Sequence, residues 1–471
     1  MDRVELAFAG IARQAELIAA GEVSSRELVE LYLERIARHD GRLGAFRVVL
    51  AERARLEADQ ADARRRAGGQ RPLLGVPIAV KDDTDVAGEV TAWGTNAQEE
   101  PVAADAEMVK RLRDAGAIVI GKTRVPEMTL WPFTESATFG VTRNPWDPQR
   151  APGGSSGGSG AAVAAGLIGA ATGSDGLGSI RIPSAWCGLF GLKPQRGRVP
   201  VAPRGRAWYG LSVNGLVASR VADTALFLDI VSGPSEVDVD RAPAPAVPFA
   251  EAAAGAPGKL RIACSRTFPG RVLGSLEGDC ARALDEAVEQ LRSLGHEVHE
   301  HDPDYRLGDV PSAVARYLRG TLQDQRELPH PERLERRTRN MARLGGLIPQ
   351  GVFERVLAAE PALTERLGRL FADHDVVLTP STATGPPRIG QFEGRGAVYT
   401  LNAVAAMVPY HGVWNATGQP AASVPVGFGS DGVPRAVQIV ARTGEEGTLL
   451  SLAAQMEAAR PWTLQRPPGF A

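Results

Sequence analysis

The chain has 471 residues, of which 44% are apolar and 23% are charged, and its formal net charge is −2. This length allows one large core or several smaller domains, and the composition is that of an ordinary globular protein. The near-neutral charge gives no support for binding to nucleic acid or to an anionic membrane surface.

Three features of the sequence predict a cytoplasmic protein. Cys187, Cys264 and Cys280 are odd in number and far apart, which is typical of reduced thiols rather than of disulfides or a metal site. The first ten residues include Asp2 and Glu5 and lack the apolar run of a signal peptide. The sequence has no run of about 18 or more apolar residues, the length that a transmembrane helix requires.

The first 70 residues are predicted to be helical. Ser24 or Ser25 can cap a helix whose apolar side chains recur at helical spacing over residues 28–36. Residues 52–66 are charged and rich in alanine, which predicts an exposed helix.

Strands and helices then alternate. Residues 74–80 form a short apolar run that ends at Lys81, residues 108–115 have a helical pattern, and residues 117–121 form a second apolar run. This alternation predicts an α/β sheet core. Further strands are predicted at residues 260–263, 375–380, 421–426 and 436–440, and an amphipathic helix at residues 280–294.

Two segments dominated by glycine and serine lie at residues 153–160 and 173–179. The first interpretation is a flexible linker. The second is a backbone that turns sharply and directs its N–H groups at a ligand, because glycine permits such turns. The Ala-rich stretch at residues 161–167, which predicts a packed helix, and the charges of Asp175 and Arg181 favour the second interpretation.

Two later segments look peripheral. Residues 234–257 are rich in proline and alanine and predict a surface connection. Residues 303–373 are highly charged and mostly helical in pattern, which predicts a peripheral helical insertion.

Serine-based chemistry requires a base, because a serine hydroxyl is a poor nucleophile at neutral pH. The glycine- and serine-rich region contains no histidine. A lysine can act as the base if burial lowers its pKa enough to make it neutral. Lys81, at the end of a predicted buried strand, is a candidate, although a lysine in such a place is more often at the surface.

Four motifs, in this order and spacing, resemble the amidase signature family. They are Gly75-Val-Pro-Ile-Ala-Val-Lys81-Asp82, Pro152-Gly-Gly-Ser155-Ser156-Gly-Gly, Asp175-Gly-Leu-Gly-Ser179-Ile-Arg181-Ile-Pro183 and Gly188-Leu-Phe-Gly-Leu-Lys193-Pro194. Segments 121–123, 140–146, 415–420 and 437–439 also fit, and segment 214–220 is similar to the free-standing amidases.

This resemblance implies one α/β amidase domain over residues 1–471, with a large mixed twisted β-sheet sandwiched between layers of α-helices. Residues 75–200 would be its signature core. The implied activity is that of an amidohydrolase acting on linear carbon–nitrogen (amide) bonds, with no metal and no organic cofactor. Esters and carbamates (urethanes) present the same carbonyl and are possible side substrates.

The resemblance also implies residue roles. Ser179 is similar to the acyl-forming nucleophile, Ser155 to a bridging serine that follows a cis peptide bond, and Lys81 to the terminal base. The backbone N–H groups of Gly176, Leu177, Gly178 and Ser179 would form the oxyanion hole.

Further residues are expected near this triad. Ser156, Asp175 and Arg181 would support it, with Asp175 and Arg181 forming an ion pair. An ordinary structural salt bridge is an equal alternative for this pair.

Two positions depart from the family pattern. Leu177 stands where glycine is common, so its side chain would add bulk beside the acyl site. Asp83 stands where asparagine is frequent, and a carboxylate near Lys81 would raise the pKa of that lysine unless it points away.

Aromatic side chains suggest where a substrate would bind. Trp131 and Phe133 lie in a proline-broken segment, and Tyr410 and Trp414 precede the Asn415 motif. Together with Leu177 they are the predicted substrate-pocket residues, and they predict a substrate with an apolar or aryl part.

Alternatives remain open from the sequence alone. The chain could be the amidase subunit of an aminoacyl-tRNA amidotransferase complex, or a catalytically silent binding protein on the same scaffold. A metal site at His296, His299 and His301 is disfavoured, because the segment alternates like a solvent-facing strand. The expected partner is a small-molecule amide, without nucleic acid or membrane, for a monomer or homodimer.

Overall fold

Helices near the N-terminus begin where the sequence supplies a capping side chain. In the computed structural model, which describes residues 2–272 and 274–470, the Glu27 N–H donates to the Ser24 hydroxyl and the Ser24 N–H donates to the Glu27 carboxylate. This capping box fixes the start of a helix over Ser25–Leu43, and Gly44, in the left-handed conformation, ends it.

The α-helices of the described residues are α1 (Arg3–Ala7), α2 (Ile11–Ala20), α3 (Ser25–Leu43), α4 (Ala51–Arg66), α5 (Glu107–Asp114), α6 (Gly157–Ala164), α7 (Arg181–Cys187), α8 (Val221–Val231), α9 (Phe249–Ala254), α10 (Gly278–Ser293), α11 (Asp309–Glu327), α12 (Arg336–Gly346), α13 (Gln350–Ala358), α14 (Glu360–Gly368), α15 (Ala397–Met407), α16 (Gly412–Ala416) and α17 (Glu446–Ala459). Short 3-10 helices lie at Glu127–Thr129, Ala207–Gly210, Pro269–Arg271, Pro331–Arg333, Arg369–Ala372 and Trp462–Leu464.

The strands are β1 (Phe46–Val49), β2 (Pro77–Lys81), β3 (Ile118–Thr123), β4 (Glu135–Ser136), β5 (Gly140–Val141), β6 (Ala170–Asp175), β7 (Phe190–Lys193), β8 (Val213–Ala218), β9 (Arg261–Cys264), β10 (Glu297–Glu300), β11 (Val376–Pro380), β12 (Ala421–Phe428) and β13 (Pro434–Ala441).

In the described residues, one large mixed sheet holds 11 strands in the order β1-β3-β2-β6-β8-β7-β12-β13-β11-β9-β10. Strand β2 is parallel to both β3 and β6, and β9 is parallel to β10 and β11. The central pairs from β6 through β8, β7 and β12 to β13 are antiparallel. Strands β4 and β5 form a separate small hairpin.

Both faces of the sheet are buried at strands β11 and β13. Successive side chains of a strand point to opposite faces, and here they enter different apolar clusters. Leu378 and Ile439 belong to the larger cluster, whereas their neighbours Val377 and Val440 belong to the second. Helices therefore cover both faces, as the sequence predicts for an α/β domain.

The predicted strands are confirmed at β2, β3, β9, β11, β12 and β13, and the predicted helices at α4, α5, α6 and α10. One strand, β1, interrupts the helices expected for the first 70 residues. It is only four residues long and pairs antiparallel with β3. This pairing supplies hydrogen-bond partners for its backbone N–H and C=O groups.

The segment expected to be a peripheral insertion forms helices α11 to α14. Helix α11 is not confined to the periphery, since Arg316, Tyr317 and Thr321 are buried on it. Its inner face reaches the candidate site described below.

None of the helices in residues 2–272 and 274–470 combines the length and apolar character that crossing a bilayer requires. Cys187, Cys264 and Cys280 are all buried thiols. Burial raises the pKa of the Cys187 thiol, and its sulfur lies 3.2 Å from the Pro152 carbonyl oxygen.

Candidate active site

Lys81 is positioned by the parallel pairing of β2 with β6. Ala79 lies opposite Ala171, so the carboxyl ends of the two strands meet at one edge of the sheet. Lys81 ends β2, while Ser174 and Asp175 end β6. Open α/β sheets commonly hold their ligands at such an edge.

The Lys81 amine is fully buried among hydroxyl and carboxylate groups. Its nitrogen lies 2.8 Å from Ser155 Oγ, 2.6 Å from Ser174 Oγ and 3.1 Å from Asp83 Oδ2. Burial lowers the pKa of Lys81, and the nearby Asp83 carboxylate partly opposes this shift. The departure noted at Asp83 therefore places a carboxylate directly beside the candidate base.

Ser155 follows a cis peptide bond with Gly154, immediately before helix α6. A Cβ on Gly154 would lie 2.3 Å from the Trp131 carbonyl oxygen, so only glycine fits there. The next residue links two loops, because the Ser156 N–H donates to the Ser179 carbonyl at 3.3 Å. These contacts bring the loop of Ser155 to the loop of Ser179.

Asp175 organises the loop that carries Ser179. Its carboxylate accepts hydrogen bonds from the Gly178 N–H at 2.7 Å and the Ile180 N–H at 3.2 Å. It also pairs with Arg181 at 2.8 Å, and both side chains are fully buried. Burial alone would raise the pKa of Asp175, but the Arg181 guanidinium holds it well below its usual range.

Side chains from the C-terminal part of the chain complete this network. Asn415 donates to the Asp175 backbone carbonyl at 2.8 Å, and the Gln438 carbonyl accepts from Arg181 at 2.7 Å. His411 Nδ1 lies 3.0 Å from the same Gln438 oxygen, and burial lowers the pKa of this imidazole to about 3. His411 is therefore a neutral packing group behind the loop.

Leu177 and Gly178 have different backbone requirements. Gly178 has a φ of 114°, and a Cβ there would lie 2.7 Å from the His411 ring. Leu177 is absent from the positive-φ residues of the described chain, so its backbone accepts a side chain without strain. This explains how leucine can occupy a position where glycine is common.

Ser179 and Leu177 line a cavity of about 100 Å³. Helix α11 contributes the wall formed by Val310, Ala313, Val314 and Tyr317, and helix α15 contributes Leu401, Val404 and Ala405. None of the described residues that line this cavity is charged. The site can therefore accept a neutral, apolar group beside the Ser179 hydroxyl.

The five predicted pocket residues are placed differently. Trp131 and Leu177 line the cavity. Phe133 is buried behind Trp131, with the ring centroids 6.0 Å apart. Tyr410 and Trp414 are fully buried away from the lining, and the Tyr410 hydroxyl donates to the Arg266 carbonyl at 3.0 Å.

Sequence reasoning missed Ser174 and the walls from α11 and α15. The alternation of β6 places Thr172 and Ser174 on one face, and the Lys81 N–H donates to Thr172 Oγ1 at 2.9 Å. This period-2 pattern was the available signal for Ser174. The walls had no comparable signal, because they depend on contacts between residues more than 100 positions apart in the sequence.

The histidines near residue 300 do not converge. His296 is buried and bonds to Gln455, whereas His299 is exposed, and His301 packs against His374. Across the described ranges, no group of three His, Cys, Asp or Glu side chains is arranged to hold a metal ion.

Known proteins are similar to this chain over nearly its whole length. The family model described as Amidase matches residues 27–450. A Mycobacterium tuberculosis protein named "Putative amidase AmiB2" is 52% identical over 467 residues, covering 99% of this chain and 99% of that protein.

Two solved structures extend the comparison. The structure of 6-aminohexanoate cyclic dimer hydrolase complexed with substrate has a TM-score of 0.91 and 32% identity, covering 99% of this chain and 100% of that one. A glutamyl-tRNA(Gln) amidotransferase chain from Thermotoga maritima has a TM-score of 0.76 and 28% identity, covering 93% of this chain and 92% of that one.

Proposed function

This chain belongs to the amidase family, and from that premise we propose that it cleaves carboxylic amides through an acyl intermediate on Ser179. The chain is an amidohydrolase, the activity that its family and its relatives' names share. The observation that carries the proposed residue roles is the buried hydrogen bond of 2.8 Å between Lys81 Nζ and Ser155 Oγ.

In the proposed reaction, Ser179 Oγ attacks the carbonyl carbon and its proton passes to Ser155 Oγ. Ser155 releases its own proton to the neutral Lys81 amine. When the tetrahedral intermediate collapses, the protons move in the reverse direction and the leaving nitrogen receives one from Ser155. A water molecule then hydrolyses the acyl-serine through the same groups.

Backbone N–H groups would stabilise the charge on the carbonyl oxygen. The Gly178 N–H already donates to Asp175, so the proposal relies on the N–H groups of Gly176, Leu177 and Ser179. Within the described residues, these three N–H groups have no protein acceptor. One such donor is typically worth about 3–4 kcal/mol of activation free energy.

The uncharged cavity supports a compact apolar or aryl acyl group. Burying a charged group against this lining without a partner would cost several kcal/mol, on the order of the effective penalty for a buried ion. Anilides, esters and carbamates present the same carbonyl to Ser179, so we propose them as further substrates. We propose that such a small molecule is the binding partner, and that the protein binds neither nucleic acid nor membrane. We propose that the enzyme is a cytoplasmic monomer or homodimer.

The alternative of a role within a transamidation complex receives less support. The amidotransferase chain from Thermotoga maritima shares 28% identity with this protein, against 52% for the Mycobacterium tuberculosis protein named "Putative amidase AmiB2". Hydrolysis of a small amide by the purified chain alone would exclude a requirement for partner proteins. A silent binding protein is disfavoured because Lys81, Ser155 and Ser179 are all present.

A substrate panel tests the proposal. We expect kcat/KM for anilides to rise with the apolar size of the acyl group until that group fills the cavity of about 100 Å³, and to fall when it carries a carboxylate. Leu177→Ala should move the preference toward bulkier acyl groups by about 10-fold or more, the range for a few methylenes in an apolar pocket. Leu347→Ala is the control, since that side chain is 76% exposed. A preference for charged or very small polar acyl groups would contradict the assignment.

A further inference from the structure

Asp83 contacts the candidate base Lys81, and the proposed reaction assigns no role to this contact. Its Oδ2 atom lies 3.1 Å from Lys81 Nζ and accepts a hydrogen bond from Ser174 Oγ at 2.5 Å. Its Oδ1 atom accepts from Thr84 Oγ1 at 3.0 Å. The carboxylate is thus fixed at both oxygens, and its side chain is only 8% exposed.

The direction of each hydrogen bond follows from the available protons. Ser174 Oγ has one proton, which it donates to Asp83, so it can only accept from Lys81 at 2.6 Å. A carboxylate also only accepts. Lys81 must therefore supply an N–H to each of these two groups.

A neutral amine has two N–H bonds and one lone pair. If Asp83 and Ser174 take the two N–H bonds, the lone pair is left for the remaining close neighbour, Ser155 Oγ at 2.8 Å. The Ser174 carbonyl is more distant, at 3.4 Å from the nitrogen. The arrangement orients Lys81 as an acceptor for the Ser155 proton.

We propose that Asp83 is a positioning residue, which together with Ser174 aims the Lys81 lone pair at Ser155. This inference rests on the proposed function and adds a residue to it. Asp83 and Ser174 also line a second, polar cavity of about 400 Å³, to which Lys81 and Ser155 do not contribute. Solvent can therefore reach the positioning pair from a side that does not include Ser179.

Other charges near Lys81 are already engaged. Asp175, on the neighbouring strand β6, is paired with Arg181. Asp82 points to the other face of β2, where it pairs with Lys122 at 3.0 Å and Arg47 at 2.5 Å. Helix α6, which packs against β2, contributes no ionisable side chain. Asp83 is thus the carboxylate in direct contact with the amine.

The test is the pH profile of kcat/KM for the best amide of the panel. Asp83→Asn keeps a carbonyl acceptor but removes the charge that favours the ammonium form. The midpoint of the acidic limb should move to lower pH by about 1 unit or more, the usual effect of one close opposite charge. Ser174→Ala removes an acceptor but keeps the charge, so its plateau should fall while its midpoint stays within a few tenths of a pH unit of the wild-type value.

Asp85→Asn is the matched control. Asp85 lines the same polar cavity and accepts from Thr91 Oγ1 at 2.7 Å, without contact to Lys81. The midpoint of the acidic limb of Asp85→Asn should equal that of the wild type. A profile of Asp83→Asn that superimposes on the wild type, or an equal shift in Asp85→Asn, overturns the inference.

Two further measurements keep the outcomes separate. If Asp83→Asn does not fold, Asp83→Glu replaces it, and there the plateau should fall while the midpoint stays, because the charge is kept but displaced. An unchanged plateau in Asp83→Glu overturns the inference. Labelling of wild-type Ser179 by a fluorophosphonate tests the proposed function independently, so a labelled enzyme with an unaltered Asp83→Asn profile refutes the positioning role alone.

Discussion

At the scale of single residues, the proposed reaction depends on keeping one lysine uncharged. Lys81 is enclosed by strands β2 and β6 and by the loop of Ser155, and burial lowers the pKa of its amine. Asp83, whose Oδ2 atom lies 3.1 Å from the amine nitrogen, limits that shift. A lowered pKa favours the neutral form of Lys81, which the proposed reaction requires.

This requirement for a neutral amine predicts a pH dependence. Since only the neutral amine can accept a proton, kcat/KM should rise as pH increases through the Lys81 pKa and fall below it. Lys81→Ala should lose this limb together with a factor of about 10²–10⁴ in rate, the usual contribution of a general base.

Lys122→Met provides the comparison for Lys81→Ala. Lys122 is equally buried, and burial lowers its pKa too, but it faces Asp82 and Thr91. The limb should persist in Lys122→Met. A Lys81→Ala enzyme with the wild-type rate and limb would refute the assignment of the base.

At the scale of elements, two short turns, at residues 128–129 and 208–209, separate the apolar cavity from the polar one. In the described residues, the non-glycine positions with positive φ are Trp93, Met128, Thr129, Trp208 and Tyr209. Thr129 and Trp208 line both cavities. Such strained backbone is retained where surrounding packing over-determines it, and it clusters at ligand sites. The turns are therefore the partition between the two cavities.

Packing around Trp208 shows how the partition is held. A Cβ on Gly176 or Gly320 would lie 2.7 Å from the indole ring, so both glycines make room for it. The indole N–H donates to Asp324 at 2.6 Å, on helix α11. One side chain thus connects the loop that carries Ser179 to α11.

Gly320→Ala should consequently destabilise the protein. In an ordinary helix interior this change stabilises by about 0.5–1 kcal/mol, but here the new methyl group meets the ring, and overpacking costs about 1–3 kcal/mol. Denaturant unfolding of Gly320→Ala and Gly346→Ala measures whether each change raises or lowers the free energy of unfolding. Gly346 ends α12, where the nearest atom to a Cβ lies at 3.9 Å, so that variant should be neutral or stabilised. Equal stabilisation of both would contradict the packing role of Trp208.

Sequence reasoning did not identify strand β6, although it predicted the neighbouring Ala-rich helix α6. Strand β6 reads Ala-Ala-Thr-Gly-Ser-Asp, which has little strand propensity, and pairing with β2 and β8 on its two sides supplies the missing stability. The motif residues of the site were identifiable because they lie in sequence motifs that resemble those of the amidase signature family. The cavity walls were not, since α11 and α15 meet Ser179 only through tertiary packing.

At the scale of the molecule, a buried polar network joins distant parts of the chain. Arg181 bonds to Asp175, to Asn415 at 2.5 Å and to Gln438 at 2.7 Å. These partners come from β6, α16 and β13. The loop that carries Ser179 is thereby fixed to both the N-terminal and the C-terminal halves of the sheet.

Removing Arg181 should affect the whole fold. Arg181→Met leaves the Asp175 carboxylate buried without its partner, a loss of about 3–5 kcal/mol in the free energy of unfolding. The depressed Asp175 pKa means that its contribution is complete above the unfolded Asp pKa of about 4 and is lost as pH falls through the lower folded value.

Without Arg181, burial raises the Asp175 pKa above its unfolded value, so the variant loses stability as pH rises, and the difference between wild type and Arg181→Met should widen as pH rises above about 4. Urea unfolding at several pH values measures it. Arg369→Met, an exposed arginine that pairs with Glu365, is the control and should change stability by less than about 1 kcal/mol. A loss equally small for Arg181→Met would show that the network does not hold the fold.

The most direct measurement for the central claim is trapping of the acyl position. Wild-type protein, Ser179→Ala and Ser155→Ala are treated with a fluorophosphonate, and the adduct is located by intact mass and peptide mapping. We expect one adduct on Ser179 in the wild type, none in Ser179→Ala, and slow formation in Ser155→Ala. An adduct on another residue, or hydrolysis by Ser179→Ala at the wild-type rate, would contradict an acyl-Ser179 mechanism.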